Sequence, residues 1–229
     1  GRDNKASVTG IRPLRALLCA MVVAGCMLPA DVDAAPGLIH AGTGATTSGD
    51  SSIAYGYSAK AMKKHSIAQG TEADAEEEYA LAMGYKATAK GLQSLAIGRE
   101  ANAIGNNSIA EGVGAKGYAK DGVAIGNNAE SGTADNKDPR IPTIPSNNGV
   151  AVGNSAKASG GSSVSVGNDS IGNGPSSVAI GNAATANDVR TTAIGNNAHA
   201  EGAGSLSIGR EASALTLENA TSTNPLVTG

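Results

Sequence analysis

The sequence predicts an all-β protein in which a 14-residue coil repeats along a parallel solenoid. A glycine returns every 14 residues from Gly56 to Gly126, and again from Gly153 to Gly209. Each of these glycines follows a large–small–large triplet such as Ile53-Ala54-Tyr55. The chain has 32 Gly, five Tyr and neither Phe nor Trp, so its interior has to be built from small side chains. Self-similarity at a fixed period is typical of stacked repeat architectures.

The triplet predicts a short strand, because successive side chains of a strand point to opposite faces. We number each coil from the first large residue of its triplet, so that the recurring glycine is position four. Positions one and three then share the outer face. The small residue at position two shares the inner face with the small residue that precedes the triplet, as Ala54 does with Ser52.

A second pair of small residues at positions seven and nine, such as Ala59 and Ala61, predicts a second strand that faces the first. The glycine at position four marks the turn between the two strands, where a φ that other residues resist is needed. The return turn is marked by a second set of glycines: Gly91, Gly105, Gly160, Gly174 and Gly202. A coil of this size has room only for Ala, Ser and Gly inside.

The large residues at positions one and three point away from this interior and would form an exposed apolar stripe. At about 4.8 Å per coil the stripe is roughly 50 Å long, beyond the patches that monomeric proteins usually expose. The same stripe on identical chains around a rotation axis would cover it, so we predict an obligate homo-oligomer. The predicted interface residues are Ile53, Tyr55, Ile67, Leu81, Met83, Leu95, Ile97, Ile109, Val123, Ile125, Val150, Val152, Val164, Val166, Val178, Ile180, Ile194, Leu206 and Ile208.

The triplets include Ser-Val-Ala-Ile-Gly-Asn at 177–182, Ser-Leu-Ala-Ile-Gly at 94–98 and Asn-Ser-Ile-Ala at 107–110. This repeat resembles the YadA-like head of trimeric autotransporter adhesins over residues 50–214. The resemblance implies a single-stranded left-handed parallel β-roll and an obligate homotrimer on the outer membrane of a Gram-negative bacterium. It also implies non-catalytic attachment to host cells or to an extracellular-matrix protein such as collagen.

Residues 1–34 are predicted to be an N-terminal extension with a signal peptide. Arg12 and Arg15 precede an apolar run at 16–28 that is too short for a typical membrane-spanning helix. Cleavage after Ala34 is favoured, and lipidation of Cys26 is the alternative, because the residues around it resemble a lipoprotein box.

The rest of the chain divides into a linker at 35–49, the head at 50–214 and a C-terminal tail at 215–229. The resemblance implies that the family's neck, stalk and membrane anchor lie beyond this tail. The glycine period breaks once inside the head, and we predict an insertion loop at 132–148. Its Pro139, Pro142 and Pro145 cannot donate to a strand ladder.

Exposed tyrosines and cations near the turns, together with the insertion, are the predicted ligand contacts, because Tyr and Arg are favoured at interaction surfaces. The candidates are Tyr57, Lys60, Tyr85, Lys86, Arg140 and Ile141. The sequence identifies neither the receptor nor which of the two surfaces binds it.

No enzymatic or cofactor chemistry is predicted. The net charge of −3 gives no basis for nucleic-acid binding. The three histidines are far apart in sequence and have no ligand-spaced partners, so no metal site is predicted. Residues 112–117 spell G-x-G-x-x-G, but this motif needs a helix after it, and no helical period follows here.

Three other functions are alternatives to adhesion. A passive solenoid spacer is the alternative if the head binds no matrix protein or cell. A β-helix acyltransferase would use six-residue steps and usually a catalytic histidine. An ice-binding solenoid would need regular Thr ladders, whereas Thr is scattered here.

Overall fold

A computed structural model describes residues 38–133 and 147–215 in full, together with the backbone of Leu226–Thr228. Every regular element among these residues is a β-strand, and three-residue strands alternate with two-residue strands along the chain. The long strands are β1 (Ile39–Ala41), β3 (Ile53–Tyr55), β5 (Ile67–Gln69), β7 (Leu81–Met83), β9 (Leu95–Ile97), β11 (Ile109–Glu111), β13 (Val123–Ile125), β15 (Val150–Val152), β17 (Val164–Val166), β19 (Val178–Ile180), β21 (Thr192–Ile194), β23 (Leu206–Ile208) and β25 (Leu226–Thr228). The short strands are β2 (Thr46–Thr47), β4 (Lys60–Ala61), β6 (Asp74–Ala75), β8 (Thr88–Ala89), β10 (Asn102–Ala103), β12 (Lys116–Gly117), β14 (Glu130–Ser131), β16 (Lys157–Ala158), β18 (Ile171–Gly172), β20 (Thr185–Ala186), β22 (His199–Ala200) and β24 (Ser213–Ala214).

The strands form two parallel sheets, which we call the long-strand sheet (13 strands) and the short-strand sheet (12 strands). Each strand pairs with the equivalent strand of the next coil, so that Leu95 lies opposite Ile109 and Asn102 lies opposite Lys116. Equivalent positions of all coils therefore stack in rows. The predicted all-β parallel solenoid with 14-residue coils is confirmed.

The interior of the solenoid is filled by alanine and serine. In the coil that starts at Leu95, Ala96 from the long strand and Ala101 and Ala103 from the short-strand side are completely buried. The largest fully buried side chain among the described residues is Thr191. The walls are thus too close together for any larger side chain, as the sequence predicts.

Two features of the backbone require glycine at position four. Gly98 has a φ of +128°, a region that residues with a side chain rarely adopt. A Cβ on Gly98 would also lie only 2.7 Å from the carbonyl carbon of Gly112 in the next coil. The recurring glycines therefore let the coils approach each other at this turn.

Each of the two predicted turns also holds one left-handed position that the sequence pattern did not predict. Positions six and thirteen adopt left-handed backbone conformations in residues that are mostly not glycine. Ala183 at position six has a φ of 53°, and Arg190 at position thirteen has a φ of 57°. Such residues carry a local conformational cost.

The break in the glycine period leaves both sheets continuous. Val123 pairs directly with Val150, and Glu130 pairs with Lys157. Most of the predicted insertion, at 134–146, lies outside the described residues. At the other end, Leu226 of β25 pairs with Leu206, so the long-strand sheet takes in a segment of the predicted tail.

Candidate interaction surfaces

The outer face of the long-strand sheet is an apolar stripe built from positions one and three. Every residue predicted for the interface lies in a strand of this sheet. Position-one side chains are partly exposed, while position three reaches 60% exposure at Tyr55 and 41% at Ile208. The twelve strands from β1 to β23 whose side chains are described lie about 4.8 Å apart and make the stripe roughly 53 Å long. The role of these residues in assembly stays a prediction, because the structure contains one chain.

Polar residues interrupt the stripe at three places. Gln69 lies in register between Tyr55 and Met83, and Glu111 lies between Ile97 and Ile125. Thr192 replaces an aliphatic residue at position one of β21. From Ile125 to Ile208, by contrast, position three is Ile or Val in every coil. The half of the stripe nearer the C-terminus is therefore the more apolar half.

The outer face of the short-strand sheet is polar and carries two shallow grooves. The first has a volume of about 650 Å³. Its lining residues are Tyr57, Ser58, Lys60, Glu72, Asp74, Lys86 and Thr88. The structure thus brings three of the predicted ligand contacts, Tyr57, Lys60 and Lys86, to one groove.

The fourth described candidate, Tyr85, lies beside this groove. The Nζ atom of Lys86 lies 5.2 Å from the centroid of the Tyr85 ring and 3.7 Å from Oε2 of Glu72. The hydrogen bond with Tyr85, followed by the negative charge of Glu72, raises the pKa of Lys86. Lys86 is therefore a fixed positive charge next to an exposed aromatic ring. Arg140 and Ile141 lie outside the described residues.

Asp74 lies in the floor of the first groove. Its Oδ1 atom is buried and has no hydrogen-bond partner among the described residues. Burial raises the pKa of Asp74, with the nearby Glu76 adding to the shift, whereas Lys60 and Lys90 oppose it. Glu76 itself pairs with Lys90 at 3.1 Å. The groove therefore holds acids between lysines of the preceding and the following coil.

The second groove repeats this arrangement four coils further along. It has a volume of about 430 Å³ and is lined by Lys116, Asn128, Glu130, Ser155, Lys157, Asp169 and Ile171. In the strand register Glu130 lies between Lys116 and Lys157, and its carboxylate is 3.9 Å from the Lys116 ammonium. Both grooves are formed by positions six and eight of neighbouring coils, with an acid between lysines.

Sequence reasoning named Tyr57, Lys60 and Lys86 of the first groove but missed its acids Glu72 and Asp74. It named as ligand contacts none of the residues that line the second groove, such as Lys116, Glu130 and Lys157. The missed signal is the order of residues at position eight, where Lys60 precedes Asp74 and Lys116 precedes Glu130. Because equivalent positions stack, charges 14 residues apart become neighbours on the sheet.

The described residues offer little for other chemistry. No group of three or more His, Cys, Asp and Glu side chains within 38–133 and 147–215 could hold a metal ion. The G-x-G-x-x-G motif runs from the turn at Gly112 into strand β12, so no helix follows it. None of the described segments forms a helix with the length and hydropathy of a membrane span.

Comparison with known proteins identifies the repeat. The family model described as "YadA head domain repeat (2 copies)" matches residues 41–59, 63–87, 89–115, 146–170, 173–198 and 189–212, together more than half of the chain. A search of curated protein sequences returned no significant match. The matches fall along the same stretch of chain as the stacked 14-residue coils. The chain therefore belongs to the YadA-like head domains of trimeric autotransporter adhesins.

Proposed function

We propose that this chain is the adhesive head of a homotrimeric surface protein, which assembles through the apolar stripe and binds its receptor elsewhere. The observation that carries the proposal is the exposed apolar face of the long-strand sheet on a solenoid filled with alanine. Burial of apolar surface stabilises a fold by about 25 cal/mol per Å². Alanine and serine bury little such surface, so the interior contributes little stabilisation. Ordering each residue opposes folding by roughly 1–2 kcal/mol. Association of three chains would bury the apolar side chains of the stripe and so add stabilisation that the interior does not supply.

A rotation axis is the simplest way to cover this face. The stripe is a straight row of identical positions, so copies of the chain can lie side by side and close into a ring. Family membership favours three chains. Display on the bacterial outer membrane after export by the predicted signal peptide follows from the same membership and remains part of the proposal.

The short-strand sheet remains on the outside of such an assembly, and we place receptor binding there. Its two grooves offer alternating charges, and the first adds the exposed rings of Tyr57 and Tyr85. A host extracellular-matrix protein such as collagen, or a host cell surface, is the proposed partner. The family is generally non-catalytic, and we propose neither an enzymatic activity nor a cofactor.

Self-association is tested by sedimentation of the purified chain at micromolar concentration. Wild type should sediment as a trimer, whereas Ile180→Asp should dissociate, because it places a charge on each of three facing stripes. Ile171→Asp is the matched control, since Ile171 lies on the outer face of the short-strand sheet. A folded wild-type monomer, or equal effects of the two substitutions, would refute assembly through the stripe.

Adhesion is tested by binding of the trimer to immobilised matrix proteins and to host cells. Lys60→Ala with Lys86→Ala should weaken binding through loss of the groove's cations. The matched control is Lys63→Ala with Lys64→Ala, an exposed pair at the return turn. If only deletion of 134–146 abolished binding, the contact would lie in the insertion. A head that bound no matrix protein or cell would fit the passive spacer instead.

A further inference from the structure

A stripe made of equal repeats leaves the relative height of the associated chains undetermined. From Ile125 to Ile208, each position-three residue stacks on another Ile or Val. A chain that slid by one coil along its neighbours would place similar side chains at the same contacts. The aliphatic half of the stripe can therefore hold chains together without fixing their register.

Gln69 breaks this equivalence. It is exposed on the stripe at position three of β5, between Tyr55 and Met83. Its side-chain amide makes no hydrogen bond to any described residue of its own chain. An amide carries both donors and an acceptor, so three copies at one height around an axis can bond to one another in a closed ring.

Sliding would destroy such a ring. One coil away, the Gln69 amide would face either Met83 or Tyr55 of the neighbouring chains. Met83 offers only a weak acceptor and Tyr55 a single hydroxyl, so most of the amide's polar atoms would be buried without partners. Leaving a buried donor or acceptor unsatisfied is unfavourable by about tenfold or more in an equilibrium constant. A single polar residue in an otherwise apolar seam fixes register in coiled coils by the same physics.

Glu111 cannot favour the in-register arrangement of the chains in the way that Gln69 does. Three carboxylates at one height repel each other, and a slid chain would move each of them opposite Ile97 or Ile125. Its effect on an in-register assembly is therefore repulsive. Thr192, the third polar residue of the stripe, carries a single hydroxyl donor, whereas the Gln69 amide carries two donors and an acceptor. We therefore assign the larger part of the selection to Gln69.

We propose that Gln69 is the register-determining residue of the assembly, fixing identical chains at the same height along the axis. The inference rests on the self-association through the stripe proposed above. The partner that this site recognises is a second and third copy of the same chain, through amide–amide hydrogen bonds.

The test is disulfide cross-linking between two single-cysteine chains of different length, unfolded together and refolded. One chain carries Ile180→Cys and the other Ile208→Cys, in a background with Cys19→Ser and Cys26→Ser. These sites are two coils apart, or roughly 9.6 Å along the axis, which exceeds the Cα separation of about 7 Å that a disulfide spans. In-register chains should form only 180–180 and 208–208 products.

With Gln69→Ile, we expect the mixed 180–208 product to rise about tenfold or more. The matched control is Gln93→Met, which removes an exposed amide at the return turn away from the stripe. Gln69→Met makes the same comparison should the isoleucine variant fail to fold.

The outcomes separate this inference from the proposed function. An assembled Gln69→Ile protein with the wild-type cross-link pattern would overturn the register role of Gln69 and leave self-association intact. Mixed products in the wild type would also overturn it. A wild-type chain that sediments as a monomer would overturn the stripe interface, and the register proposal with it.

Discussion

Gly98→Ala tests the stacking of the coils most directly. The variant has to keep a φ of +128°, which disfavours a residue with a side chain by about 1–3 kcal/mol. Its Cβ would also lie against the Gly112 carbonyl group, 2.7 Å from the carbonyl carbon, and overpacking of this kind typically opposes folding by about 1–3 kcal/mol. We therefore expect a loss of about 2–6 kcal/mol, a large part of the free energy of unfolding of a typical domain.

The assay is urea unfolding followed by far-ultraviolet circular dichroism, at one protein concentration because association contributes to stability. Gly117→Ala is the matched control. Its added Cβ would lie 3.2 Å from the nearest atoms and needs no positive φ. The equivalent position one coil earlier already holds Ala103. We expect a change within about 1 kcal/mol for this control. Equal losses for the two variants, or almost no loss for Gly98→Ala, would refute the close approach of coils at the glycine row.

Four further predictions concern single side chains. Glu111→Gln should stabilise the assembly, because it replaces three converging charges by amides, and sedimentation at decreasing concentration measures this. Ala183→Asn should raise the free energy of unfolding by about 0.5–1 kcal/mol, since Asn tolerates the left-handed backbone better than Ala; urea unfolding measures it. The Ser66 hydroxyl donates to a backbone carbonyl at 2.6 Å, whereas buried Ser94 Oγ has no partner among the described residues. In the same unfolding assay, Ser66→Ala should therefore lose about 1 kcal/mol, while Ser94→Ala should be neutral or stabilising. Asp74→Asn should stabilise the protein at pH 7 and have no effect below about pH 3.9, because burial raises the pKa of Asp74. A raised carboxyl pKa means that folded stability falls as pH rises from the unfolded value through the folded value, and unfolding measured across pH checks this sign.

A specific result would contradict each of these predictions. A weaker assembly of Glu111→Gln would place that residue away from the other chains. A destabilised Ala183→Asn would mean that the turn tolerates alanine without strain. Equal losses from the two serine substitutions would contradict their different hydrogen bonding. If Asp74→Asn still stabilised the protein at pH 3, the stabilisation would not come from removing the carboxylate charge.

The residues that face the interior or the backbone of the next coil are the ones whose role could be predicted from sequence. Ala54 faces the opposite wall of the coil, and Gly56 lies against the Gly70 carbonyl group of the next coil, so a larger side chain would collide at either position. That collision forces the repetition which makes the fold visible in the sequence. The left-handed conformation of Ala183 could not be predicted in this way, because position six is occupied by many residue types whose side chains point outward.

The grooves show the other limit of sequence reasoning. Lys86 and Glu72 pair across coils although they are 14 residues apart, and neither type is required by the stacking. Once the coil length is known, the pairing follows from the register. The identity of the paired residues does not, because the outer face of the short-strand sheet accepts either charge.

The three surfaces of a coil are under different physical constraints, and this division explains how one repeat can serve both assembly and adhesion. Position two is Ala or Ser from Ala54 to Ser207, because it faces the interior. Position three is mostly apolar, as expected if it faces other chains, and its exceptions carry information about register and charge. Position eight contains Lys60, Asp74, Thr88 and Ile171 on the outer face of the short-strand sheet, so neither interior packing nor apolar contact restricts it. A substitution at position eight should therefore disturb neither the fold nor the proposed association, which is why we propose that receptor binding lies on that face.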